Sequence, residues 1–217
     1  MAILDDLASQ LQQGDTLSQL SRQLGTDEQT TAQAVSMALP MLVGGLAQNA
    51  QSPQGAQSLH DALQNDHDGS VLDDLPSFLS GAQPASATPR ALNGAGILEH
   101  ILGGGRAPVE SGIGKATGLN GQQVGRLLMM LAPLVMAYLG RRQRTAGMDP
   151  GGLGSVLAGE RDEIERRAPG AGGILGQILG GAMGGGGANQ PGIADDLARM
   201  APSILGGLGG MFGGRRG

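Results

Sequence analysis

The residue types best suited to chemistry gather between His60 and Ser70, a segment with two histidines and three aspartates. If Gly69 takes the glycine position of a calcium-binding loop, Gln64 stands where the first acidic ligand is needed. Leu75 then replaces the closing glutamate of such a loop. The spacing therefore argues against a calcium site.

The same segment contains possible ligands for a transition metal, namely His60 and His67 with Asp66 or Asp68. The alternative is a turn in which the Asp and Asn side chains bond to nearby backbone, ahead of a helix cap at Ser70. We favour the turn, because the second half of the chain has no counterpart of this cluster. No metal and no other cofactor is expected.

Three pairs of adjacent aspartates resemble paired catalytic carboxylates: Asp5-Asp6, Asp73-Asp74 and Asp195-Asp196. Adjacent residues of a helix point in different directions, so the two carboxylates of a pair cannot share a proton. Acidic residues in a first helical turn stabilise the helix dipole instead. His100 is expected to be exposed. The sequence contains no nucleophile triad, phosphate loop or nucleotide fingerprint, so it predicts a non-enzymatic protein without a small-molecule substrate.

The composition indicates which elements carry these residues. Of 217 residues 41 are glycine, whereas the chain has two Phe, one Tyr and no Trp. Leu, Ile, Val, Met and Ala must then fill the core, which is typical of short helices that end at glycines. The absence of cysteine excludes disulfides, thiolate zinc sites and iron–sulfur clusters. A net charge of -5 makes nucleic acid an unlikely partner.

Helix signals occur twice in the same order, which indicates an internal duplication. The pattern from Thr26 to Gln29 predicts a capping box in which the Thr26 hydroxyl accepts from the Gln29 amide. The helix that follows is expected to break at Pro40, with a new helix starting there. The segment Thr117–Gln123 matches Leu24–Thr30, and Pro133 matches Pro40.

The predicted fold is all-α, with two related short-helix units and a glycine-rich apolar C-terminal tail. We assign residues 1–80 to the first helical unit, 81–95 to a linker, 96–168 to the second unit and 169–217 to the tail. The linker is rich in small-residue turns.

Two charged segments are interpreted structurally. The basic run Arg141-Arg142-Gln143-Arg144 is expected to cap the end of its own helix. The charged segment from Glu160 to Arg167 is expected to be a solvated helix leading out of the second unit.

Two further segments bear on location. The apolar stretch Leu127–Leu139 is too short to span a bilayer and contains Pro133, so no transmembrane helix is expected. The acidic start of the sequence does not resemble a secretory signal, which predicts a cytoplasmic protein.

Several of these segments resemble the YidB-like bacterial proteins, a family of unassigned function. The resemblance extends from residue 3 to about residue 160. It implies a compact all-helical, homeodomain-like fold, and it supplies no catalytic or binding residues. The segments that carry it are Ile3–Leu7, Ala38–Leu46, Ser52–Ala56, His67–Leu75 and Leu131–Met136.

The tail suggests the role of the protein, because it is too apolar for a solvated coil and too rich in glycine for stable lone helices. We expect it to mediate self-association in a non-enzymatic interaction or assembly protein. The candidate assembly surface consists of Ile174, Leu175, Ile178, Leu179, Leu197, Met200, Ile204, Leu205, Leu208, Met211 and Phe212.

Three alternatives remain open for this tail. It could fold back onto the second unit of its own chain and leave a monomer. A harpin-like secreted protein, exported without a signal peptide, would have a similar composition. A peripheral protein could also bind a membrane surface through the apolar segments of the tail.

Overall fold

The computed structural model describes residues 3–12, 15–82 and 87–167. These residues form helices joined by turns, without a β-strand among them, which confirms the all-α prediction. The candidate assembly surface of the tail lies outside the described residues. The helices are α1 (Ile3–Gln12), α2 (Thr16–Leu24), α3 (Glu28–Asn49), α4 (Pro53–Asn65), α5 (Leu75–Leu79), α6 (Gly94–Leu102), α7 (Arg106–Thr117), α8 (Gly121–Ala146) and α9 (Pro150–Arg167).

The start of α3 differs by one residue from the sequence prediction. Asp27, rather than Thr26, caps the helix, and its carboxylate accepts from the Thr30 amide at 2.8 Å. That hydrogen bond lowers the pKa of Asp27. Gly25 ends α2 in the left-handed conformation, with φ 67°, so the turn occupies one residue more than the capping-box pattern assumed.

The start of α8 has the same construction. Gly118 ends α7 at φ 79°, again in the left-handed region that favours glycine. The Asn120 side chain accepts from the Gln123 amide, and the Gln123 side chain accepts from the Asn120 amide, which completes a capping box.

The expected helix break at Pro40 is wrong. Pro40 lies inside the continuous helix α3, and Pro133 lies inside α8. A proline removes one amide donor to the carbonyl four residues earlier, which for Pro40 belongs to Ser36. Ser36 is exposed, so water can solvate that carbonyl. The burial of both flanks of α3, including Ala38 and Leu42, outweighs the cost of the proline.

The helices enclose one continuous hydrophobic core. Helix α9 packs on α3 and α4, and α4 also packs on α8. The largest fully buried side chains are Ile3, Leu7, Leu20, Leu42, Leu63, Leu98, Ile113, Leu127, Leu128, Leu131, Leu134 and Leu139.

The interpretation of the Glu160–Arg167 segment as a solvated helix is wrong for one of its faces. Glu160 is only 7% exposed, and Ile164 is buried as well. The Glu160 carboxylate accepts from the Ile3 amide at 2.7 Å, at the start of α1. A carboxylate at this position satisfies an amide that has no partner within its own helix and complements the helix dipole. This hydrogen bond therefore fixes the start of α1 against the C-terminal half of α9.

By length and hydropathy alone, α3 and α8 are each able to cross a membrane. Within the fold, however, 61% of the apolar window of α3 and 72% of that of α8 are buried. Core helices of soluble proteins have the same property, so the two helices are weak evidence for a membrane span.

We expect Glu160→Ala to lower the free energy of unfolding by about 1–3 kcal/mol, because the buried Ile3 amide loses its acceptor. Urea unfolding followed by circular dichroism measures this change. The control is Asp162→Ala, since Asp162 is exposed on the same helix, and its effect should stay within about 0.5 kcal/mol. Equal effects of the two substitutions would contradict the assigned role of Glu160.

Candidate functional site

The polar cluster between His60 and Ser70 forms a turn after α4. The Asp68 carboxylate accepts from the Ser70 amide at 2.9 Å, which confirms the predicted bond from an Asp side chain to nearby backbone. Gly69 follows with φ 92°, and residues Ser70–Leu72 form a short 3₁₀ turn. In the described part of the chain, no group of three His, Asp or Glu side chains is placed to hold a metal ion.

Two arginines of α8 form hydrogen bonds with this turn and with the end of α4. Arg144 donates to the Asp68 carbonyl at 2.9 Å and to the Gln64 carbonyl at 3.1 Å. Arg141 donates to the Gly69 carbonyl at 2.8 Å. The basic run was expected to cap its own helix, but these two guanidinium groups satisfy carbonyls at the end of α4 and in the turn that follows.

The turn also meets α8 through a close backbone contact. A Cβ atom added at Gly140 would lie 1.7 Å from the His67 carbonyl oxygen. Such a distance is far below van der Waals contact, so only glycine permits this approach. The position of His67 therefore depends on a residue without a side chain.

His67 itself is 5% exposed. Burial lowers the pKa of its imidazole, and the nearby Asp66 and Asp68 carboxylates oppose this shift. The residue is therefore a neutral imidazole inside the fold at neutral pH.

Asp6 joins α1 to α8. The Tyr138 hydroxyl donates to the Asp6 carboxylate at 2.7 Å, and the Arg142 guanidinium lies 3.7 Å from it. Burial raises the pKa of Tyr138, and the hydrogen bond to Asp6 raises it further. The sequence predicts only a helix-dipole role for Asp6, and this contact between distant helices is not visible in it.

A groove of about 870 Å³ lies between α4 and α6. Five of its apolar side chains are buried: Leu46, Leu59, Ile97, Ile101 and Met136. They come from α3, α4, α6 and α8. We call these five residues the floor of the groove.

The rim of the groove is polar. Arg90 is 83% exposed, and its guanidinium lies 3.8 Å from the Asp66 carboxylate. Elsewhere on the rim, the Asn49 side chain donates to the His100 carbonyl at 2.6 Å and so links α3 to α6. His100 is exposed, as the sequence predicts.

The groove was missed by the sequence analysis for a physical reason. Its lining comes from residues 46–67 of the first unit, from residues 90–101 across the linker and the start of the second unit, and from Met136 of α8. No local motif marks residues that come together only when the two halves pack. An apolar floor with a rim of amides and hydroxyls suits an apolar helical segment of a protein.

A family model matches more than half of the chain. Residues 5–142 match the family model described as a bacterial protein of unknown function (DUF937). Neither a curated protein nor a solved structure matches the chain.

We expect Gly140→Ala to destabilise the fold by at least about 1–3 kcal/mol, because its Cβ would force α8 away from the His67 carbonyl. The control is Gly112→Ala in the interior of α7, where an added Cβ meets no atom within 4 Å. That substitution should stabilise the protein by up to about 1 kcal/mol through helix propensity. Thermal unfolding of the two variants should shift in opposite directions.

We expect the stability to fall as the pH drops below about 6.5, where histidine in the unfolded chain binds a proton that folded His67 resists. The contribution is complete above that pH and is lost as the pH falls towards the lowered pKa of folded His67. Urea midpoints at pH 7.5 and 5.5 measure the effect. The difference between the two midpoints should shrink in His67→Gln and persist in His100→Gln, where the exposed imidazole is the one replaced.

Proposed function

The chain belongs to the bacterial family of unknown function DUF937, and we propose that it is a non-enzymatic interaction protein that assembles with itself through its tail. The observation that carries this proposal is the groove between α4 and α6, with its buried apolar floor and polar rim. Protein interfaces have the same arrangement, an apolar centre surrounded by polar groups. Resemblance to the YidB-like proteins is consistent with this family assignment.

The contacts of the polar side chains support a non-enzymatic role. Asp68 holds the turn after α4, and Arg141 and Arg144 fasten that turn to α8. Glu160 caps α1, and Asp6 joins α1 to α8. Asp6, Asp68, Glu160 and the two arginines therefore have structural partners.

The sequence of the tail supports self-assembly. Its apolar residues recur at helical spacing, and its many glycines disfavour a lone helix. Each aliphatic side chain that a partner surface buries contributes about 1.5–3 kcal/mol. A groove of this kind on another copy would supply that surface. A cytoplasmic location is part of the proposal, and cell fractionation tests it.

We also propose that the two helical units arose by duplication. The supporting observation is that Gly25, Asp27 and Pro40 have counterparts at the same spacing in Gly118, Asn120 and Pro133. The helices that follow also start alike: the Ser52 side chain accepts from the Gly55 amide and the Asp149 side chain from the Gly152 amide, each next to a proline. A homeodomain-like origin of each unit belongs to the same proposal.

Self-association is tested by sedimentation velocity of the full chain over a broad concentration range. We expect Leu205→Asp combined with Leu208→Asp to weaken association at least about 100-fold, because two apolar side chains are lost from the interface. The control carries the same charge at Gly185→Asp and Gly186→Asp, among the glycines between the two apolar segments. A monomeric wild-type chain at every concentration would overturn the proposal.

A further inference from the structure

We infer that the groove between α4 and α6 receives residues 193–212 of a second copy of this chain. The inference rests on the proposed self-assembly and adds the surface that receives the tail.

The apolar pattern of the segment matches the floor of the groove. Ile193, Leu197 and Met200 recur three and four residues apart, and Ile204 and Leu208 continue this spacing after Pro202. The spacing is that of one face of a helix. The floor is apolar and comes from both halves of the fold, and the rim around it is polar. A single apolar stripe on the occupant is what such a surface requires.

The small residues of the segment suit a narrow site. Gly206, Gly207, Gly209 and Gly210 leave parts of the segment without side chains, which allows close approach between helices. The segment therefore combines apolar side chains with positions where its backbone can come near a neighbouring helix.

The size and reach of the tail suit an exchange between two copies. A stable interface uses about 20–30 residues a side, so one segment of about 20 residues supplies one side, and a reciprocal exchange makes two interfaces. About 25 residues separate the end of α9 at Arg167 from the segment, and a chain of that length spans up to about 80 Å. The tail of one copy can therefore reach the groove of another.

The absence of cysteine permits a test with unique cross-links. One full-length chain carries Ser58→Cys on the exposed wall of the groove, and another carries Ser203→Cys in the segment. Mixed and mildly oxidised, they can form a heterodimer only by a bond between two copies. The control replaces the first chain by Ser36→Cys, exposed on α3 and outside the groove.

We expect the Ser58/Ser203 heterodimer to exceed the Ser36/Ser203 heterodimer at least about tenfold, because docking raises the local concentration of the thiol. Equal yields would overturn the inference. A full chain carrying both Ser58→Cys and Ser203→Cys that links only within itself would overturn the assignment to a second copy.

Sedimentation of the same samples under reducing conditions separates the two proposals. Association without preferential cross-linking would leave the proposed self-assembly standing and overturn the groove as its receiving surface. An absence of association would overturn both proposals.

Discussion

The approach of α8 to the turn after α4 is the contact on which the rest of the described structure depends. Because Gly140 has no side chain, the His67 carbonyl lies directly against α8. Arg141 and Arg144 then bond to carbonyls on either side of this contact. Together these interactions fix where α4 ends, and α4 is one wall of the groove. A helix end held by another helix in this way cannot shift without losing several hydrogen bonds at once.

Each half of the fold packs one of its helices against the other half. Helix α4 of the first half packs on α8 of the second, and α9 of the second half packs on α3 of the first. A unit of roughly 80 residues buries a smaller fraction of its surface than a larger domain does, so each half gains stability by covering the other. The groove is one consequence of this arrangement, because its lining comes from both halves.

Local features of this fold could be predicted from the sequence, and contacts between distant residues could not. The all-α class, the glycine ends of α2 and α7, and the Asp68 turn follow from short-range patterns. The cap of α3 was misplaced by one residue, because Thr26 and Asp27 are both good caps and the sequence does not choose between them. The break at Pro40 failed because tertiary burial, which propensity rules omit, outweighs the cost of a proline.

The partners of charged side chains were the hardest to predict. The buried face of α9 consists of Leu153, Leu157, Glu160 and Ile164. Their spacing of three and four residues is visible in the sequence. Because the segment from Glu160 to Arg167 carries many charged residues, this helical spacing of buried positions is not obvious in the sequence. For Arg141 and Arg144 no sequence signal exists, since their acceptors are mostly backbone carbonyls, which every residue carries.

The positions of these charged side chains also determine how few charges line the groove. Glu160, Asp6 and Arg144 hold helix ends and join distant helices, and none of the three lines the groove. The rim retains Arg90, whose charge is offset by Asp66. A partner of the kind proposed would be selected there by shape and apolar area. Binding there should depend weakly on salt, because the desolvation of apolar side chains, rather than attraction between charges, supplies most of the free energy.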